Sequence, residues 1–190
     1  MSIFDDATKF AVDAHSGMMR KGAELPYILH PLEVSVIAGT MTDNPEVLAA
    51  AVLHDTVEDT NVTMEDIKNR FGDRVAELVE SETENKYREI PPDVSWRTRK
   101  EESLEKLRNS NDIDVKKLWL ADKLSNMRSF YDMWQKDGHD LWKHFNQKDP
   151  VQQAWYYRSI DELLSVLKEY KAWQEYHILV EMIFRQVPSF

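Results

Sequence analysis

An all-α fold is predicted from three features of the sequence. The chain has only five glycines in 190 residues. No segment alternates apolar and polar residues as a half-buried strand would. Successive stretches instead place apolar residues at helical spacing, broken by Asn, Asp, Pro and Gly signals. The length suits one domain with a real core. We divide it into a helical core over 1–140 and a helical extension over 141–190 packed on that core.

The first helix is predicted from Phe4 to about Met18, with Phe4, Ala7, Ala11 and Ala14 or His15 on one face and Gly17 as terminator. A loop over 18–29 carries Arg20, Lys21, Gly22 and Pro26. Pro31 then suits the first residue of a helix, which runs through Leu32, Val34, Val36 and Ile37 toward Gly39. Asn44-Pro45 is a start signal, a capping side chain before a first-turn proline. A central helix follows from Pro45 to Val57. Thr63 and Asp66 form a capping box with Asp in the Glu position, opening a helix with Met64, Ile67 and Phe71. Gly72-Asp73 separates it from an amphipathic helix over 74–81. Pro91-Pro92 predicts a loop that re-enters helix near Arg97. Asp114 is expected to cap a helix carrying Val115, Leu118, Trp119 and Ala121, continuing past Met127 and Phe130. Gln152 to Phe184 reads as one long helix or two shorter ones.

Charge and composition exclude several functions. The formal net charge is −10, which argues against nucleic acid or an anionic membrane as partner, since both call for a basic face. A small phosphorylated ligand needs only a local basic pocket. The absence of cysteine removes disulfides, thiolate metal sites and cysteine nucleophiles. The opening MSIFDDATKF has early acids and no apolar run, unlike a signal peptide. No apolar stretch approaches the roughly 18 residues of a membrane span. A cytoplasmic protein is expected.

The stretch Ala51–Thr60, AVLHDTVEDT, carries the chemistry. Read as continuous helix, it stacks His54 with Glu58 and Asp55 with Asp59, because residues four apart share a face. An imidazole and three carboxylates then lie beside residues apolar enough to be core. Burying such carboxylates is costly unless a cation sits among them. His30, before a helix start, and Asp122, on a later helix, extend the set. Two His and two Asp without sulfur suit Mn²⁺, Fe²⁺ or Mg²⁺ better than Zn²⁺.

These residues sit in segments that resemble a known family. Arg20-Lys21, Pro26-Tyr27-Ile28-Leu29-His30-Pro31-Leu32, His54-Asp55 with Glu58-Asp59, and Leu120-Ala121-Asp122-Lys123-Leu124-Ser125-Asn126-Met127-Arg128 occur in the order of the HD metal-dependent phosphohydrolases. Within that superfamily the chain resembles the (p)ppGpp-hydrolase domain of RelA/SpoT-type enzymes and the stand-alone small alarmone hydrolases. The likeness covers roughly residues 5–130. It implies an HD-type helical domain that hydrolyses guanosine-3′,5′-bis(diphosphate) at the 3′-pyrophosphate. It implies His30, His54, Asp55 and Asp122 as metal ligands, with Mn²⁺ as the metal. It implies Glu58 and Asp59 as the pair that positions and deprotonates water, and Arg20, Lys21 and Asn126 as nucleotide-binding residues. No synthetase motif is visible, so hydrolysis alone is expected. Two alternatives remain at this level: another phosphorylated nucleotide, such as an adenosine analogue of ppGpp or NADPH, and a non-catalytic nucleotide-binding module.

The tail is aromatic, with Trp142, Phe145, Trp155, Tyr156, Tyr157, Tyr170, Trp173 and Tyr176. Helical spacing makes this stripe core packing or a homo-oligomer surface. A minority reading lets Tyr156, Tyr157 or Arg158 reach a ligand. His15, His139, His144 and His177 read as structural or surface residues.

Overall fold

The computed structural model describes residues 2–20, 24–87 and 89–188, apart from the side chain of His139. Lys21 therefore lies outside the described residues, as does the imidazole of His139. The described residues form ten α-helices: α1 (Ile3–Ala14), α2 (Leu29–Gly39), α3 (Pro45–Leu53), α4 (Thr56–Asp59), α5 (Met64–Phe71), α6 (Asp73–Glu82), α7 (Pro92–Asn109), α8 (Ile113–Asp137), α9 (Pro150–Leu163) and α10 (Lys171–Phe184). Short 3-10 segments lie at Gly138–His144 and Ser165–Leu167. Among the described residues there is no strand, only an isolated antiparallel bridge between Met19 and Pro26. No described helix is long and apolar enough to cross a membrane.

The chain forms two compact units. One comprises Met1–Glu84 with Asp112–Asp122, the other Asn85–Asn111 with Lys123–Phe190. In the first unit, α1, α2 and α6 pack on α3. Val47 and every residue from Ala49 to Leu53 are fully buried there. A helix apolar on all faces must be enclosed, and the run of small alanines lets its neighbours approach closely. Each buried Val or Leu contributes about 1.5–3 kcal/mol of apolar transfer. The far end of α3, where the His-Asp pair sits, is thus held on a rigid support.

Local signals explain most helix starts. Asn44 caps α3, its side chain accepting the Glu46 N–H at 3.0 Å, with Pro45 at the first position. Thr63 and Asp66 form the expected capping box at α5. Gly72 adopts a left-handed φ of +89° between α5 and α6, where a side chain would be strained.

Four boundaries differ from expectation. Helix α1 ends at Ala14 rather than near Met18, with His15 as its C-cap. Helix α2 begins at Leu29, two residues before Pro31, which a first turn tolerates because its N–H positions are unpaired there. Helix α7 begins at Pro92 itself rather than near Arg97, for the same reason. The turn entering α8 is capped by Asp112, whose carboxylate accepts the Asp114 N–H at 2.9 Å, rather than by Asp114.

The aromatic stripe packs the second unit. Phe130 meets Trp142 and Tyr157 edge-on at 5.5 and 5.3 Å between ring centres, and Trp142 stacks on Phe184 at 5.4 Å. Tyr156 and Tyr157 are buried. Arg158 donates to the carbonyls of Phe184 and Val187 at 2.8 and 3.1 Å, tying α9 to the turn after α10.

Candidate metal centre

The central helix predicted over 45–57 is broken at its chemically important point. Helix α3 stops at Leu53, His54 and Asp55 form a turn, and α4 begins at Thr56. Two side chains compete for the local backbone carbonyls. The Thr56 hydroxyl, fully buried, donates to Leu53 O at 2.7 Å. His54 Nδ1 lies 2.9 Å from Ala51 O. Such back-bonding offers the chain an alternative to the helical ladder. The stacking of His54 on Glu58 along one continuous helix is therefore replaced by a junction. Asp55 and Asp59 stay one turn apart, joined by Asp59 N–H donating to Asp55 O at 2.9 Å.

The junction aims both side chains at residues from two other elements. His30 comes from the first turn of α2, and its N–H donates to Tyr27 O at 2.9 Å. Asp122 comes from α8. His30, His54 and Asp122 are all buried, and each offers one ligand atom, all within 4.8 Å of one another. Asp122 Oδ1 is 3.1 Å from His30 Nε2 and 3.5 Å from His54 Nε2. Asp55 Oδ2 is 3.4 Å and 3.0 Å from the same two nitrogens. Residues 30, 54, 55 and 122 thus converge from three helical elements.

The chemistry of this set fits a divalent cation. Ala51 O can only accept, so His54 Nδ1 carries its proton, and the remaining ring nitrogen is the one turned to the centre. That Nε2 is buried and faces Asp55 Oδ2 at 3.0 Å. With both imidazoles neutral, as metal ligation requires, the two carboxylates carry a double negative charge, which a divalent ion would neutralise. Burial alone pulls the His54 pKa down, but Asp55 and Asp122 outweigh it and hold it well above its ordinary 6.5. Burial likewise pushes Asp55 up, and His54 and His30 reverse this to hold it well below its ordinary 3.8. Both shifts express the same attraction between imidazole and carboxylate, and a metal bound here would displace a proton from His54.

The other expected residues are distributed as follows. Glu58 and Asp59 lie half-buried on α4, directly after the junction. Glu58 Oε2 accepts the backbone N–H of Glu84 at 3.2 Å. Arg20 is half-buried beside the bridge, its N–H donating to Leu25 O at 2.9 Å. Asn126 lies half-buried on α8, four residues beyond Asp122.

Two further residues lie close to the site. The Tyr27 hydroxyl donates to Asp55 Oδ2 at 2.5 Å. His15 is buried with its ring 5.0 Å from that of Tyr27, and neither of its ring nitrogens has a hydrogen-bond partner among the described residues. Burial lowers its pKa below the ordinary 6.5. Neither spacing nor periodicity links Tyr27 to Asp55, 28 positions away.

Known proteins share these features. The HD domain family matches residues 7–151. A guanosine-3′,5′-bis(diphosphate) 3′-pyrophosphohydrolase of Aquifex aeolicus is 38% identical over 127 residues, covering 66% of this chain and 17% of the relative. The bifunctional (p)ppGpp synthase/hydrolase SpoT of Escherichia coli K12 is 40% identical over 124 residues, covering 63% of this chain and 17% of that one. The chain thus spans about one sixth of the length of these curated relatives. A solved structure of a metazoan SpoT ortholog, described as hydrolysing ppGpp, superposes with a TM-score of 0.73 at 26% identity, covering 98% of this chain and 96% of that one. With the HD domain matched over most of its length and the His54-Asp55 pair at the heart of a convergent His/Asp cluster, the chain belongs to the HD domain family.

Proposed function

We propose that this chain is a Mn²⁺-dependent (p)ppGpp 3′-pyrophosphohydrolase, a cytoplasmic enzyme that degrades a nucleotide alarmone of the stringent response. The observation that carries the proposal is the convergence of His30, His54 and Asp122 within 4.8 Å, beside Asp55. Relatives named for this reaction support the choice of substrate. His30, His54, Asp55 and Asp122 are the proposed ligands. A divalent ion held there supplies an acidified water and polarises a phosphoryl oxygen.

The chain's own residues do the rest. Glu58, steadied by the Glu84 N–H, and Asp59 orient the attacking water and take its proton. The water oxygen attacks the phosphorus bonded to the 3′-oxygen, that P–O bond breaks, and the 3′-oxygen leaves with a proton. The products are GDP and pyrophosphate. Arg20 and Lys21, which precede α2 in the sequence, and Asn126, four residues past Asp122, are the proposed nucleotide contacts. The proposed domain scheme is an HD core over 1–140 with an extension over 141–190; the family match over 7–151 supports the core alone. The net charge of −10 supports a small nucleotide rather than nucleic acid or membrane as partner.

The test is product analysis on a nucleotide panel with Mn²⁺. Release of pyrophosphate and GDP from ppGpp is expected. Turnover only of an adenosine analogue or of NADPH would move the substrate assignment. Binding without turnover of any nucleotide would make the chain a sensor and overturn the enzymatic reading.

A further inference from the structure

Asp55 is the least constrained of the proposed ligands. Its side chain is 18% exposed, against 2%, 1% and 6% for His30, His54 and Asp122. It occupies the N-cap position of α4 yet makes no capping hydrogen bond with its side chain. Its orientation is therefore set by side-chain contacts, those of the two imidazoles and of Tyr27. The phenol donates to Asp55 Oδ2, the same oxygen that lies 3.0 Å from His54 Nε2 and 3.4 Å from His30 Nε2. Because a carboxylate oxygen has two lone pairs, one is taken by Tyr27 and the other is left for the space the imidazoles face.

Tyr27 is itself held firmly. Its ring lies 5.0 Å from His15 and 5.9 Å edge-on from His30. Its N–H donates to Met18 O at 2.9 Å, and its carbonyl accepts the His30 N–H. Partial burial, reinforced by Asp55, raises the phenol pKa and keeps the hydroxyl proton in place.

We propose that Tyr27 is a positioning residue of the metal centre, fixing Asp55 in its ligating orientation through a hydrogen bond to Oδ2. The inference rests on the metal-centre reading above and adds an outer support to it, since partners of this kind orient ligands and tune their donor strength.

The test uses the full chain and free Mn²⁺ measured by electron paramagnetic resonance during titration. Four proteins are compared: wild type, Tyr27→Phe, Asp55→Asn and the double variant. Phe keeps the ring contacts and removes only the donor. Tyr27→Phe is expected to weaken Mn²⁺ binding roughly 10- to 100-fold, and to add little in the Asp55→Asn background. Unchanged affinity in Tyr27→Phe overturns the inference while leaving the metal centre standing. An equal loss in both backgrounds also overturns it, because the effect would not pass through Asp55. A wild type that binds no Mn²⁺ sinks the metal-centre reading and this inference with it. A second measurement does not depend on how the variant folds: Mg²⁺ added to wild type is expected to perturb the tyrosine absorption spectrum, and an unchanged spectrum under saturating metal counts against the inference.

Discussion

Replacing Glu58 by Gln separates proton acceptance from shape. Gln has the same length, and its amide oxygen can still accept the Glu84 N–H that Glu58 Oε2 accepts at 3.2 Å. The link from α4 to residue 84 is kept, so the stability cost stays within about 1 kcal/mol, the net worth of one hydrogen bond. Basicity is what disappears. A positioned general base contributes about 10²- to 10⁴-fold in rate, which is about 2.7–5.4 kcal/mol of barrier at about 1.36 kcal/mol per decade. Glu58 is not in the convergent set of His30, His54, Asp55 and Asp122, so metal affinity should be unchanged. The assay is steady-state pyrophosphate release from ppGpp with saturating Mn²⁺, run beside a metal titration of the same protein. The expected result is a collapse of kcat with intact metal binding. A kcat reduced by less than about tenfold would refute the assignment of Glu58 as proton acceptor. Loss of metal in parallel with activity would make Glu58 a ligand instead.

Three further outcomes follow from the structure. Thr56→Val removes the donor that caps Leu53 O while keeping the buried shape; a loss of about 1–3 kcal/mol in urea unfolding is expected, with weaker Mn²⁺ binding because the His54-Asp55 junction loosens. Arg74→Met removes the guanidinium 2.7 Å from Asp112, whose hydrogen bond holds that carboxyl below its ordinary 3.8. The stabilisation is present above that value and lost as pH falls through the lowered one. The variant should be less stable by up to about 1 kcal/mol at neutral pH and match wild type in strong acid, as read from urea midpoints. His15 is kept neutral by burial, with its pKa below 6.5 in the folded chain. Wild type should therefore lose stability as pH falls below about 6.5, and His15→Leu should flatten that slope in thermal unfolding.

Much of the fold is written locally. Asn44-Pro45 and the Thr63/Asp66 box announce helix starts because capping is settled within three or four residues. The clustering of His30, His54 and Asp122 was suggested by residue type: His and Asp beside fully apolar neighbours have few satisfied states in a core without a cation. The break at His54-Asp55 was not legible. It depends on Thr56 and His54 turning back onto the Leu53 and Ala51 carbonyls, and periodicity is blind to that competition. The entry of α7 at Pro92 was misjudged because a Pro-Pro pair reads as a breaker, while the second proline satisfies a first turn. The contact between Tyr27 and Asp55 joins residues 28 positions apart, and only the folded packing of α2 against α3 brings them together.

The measurement that bears most directly on the convergence of His30, His54, Asp55 and Asp122 is elemental analysis of manganese-loaded, gel-filtered protein beside Asp122→Ala. One manganese per wild-type chain, with the variant largely empty, is the expected result. A wild-type chain that emerges without metal, or a variant that keeps a full complement, would contradict a shared ion at these four side chains.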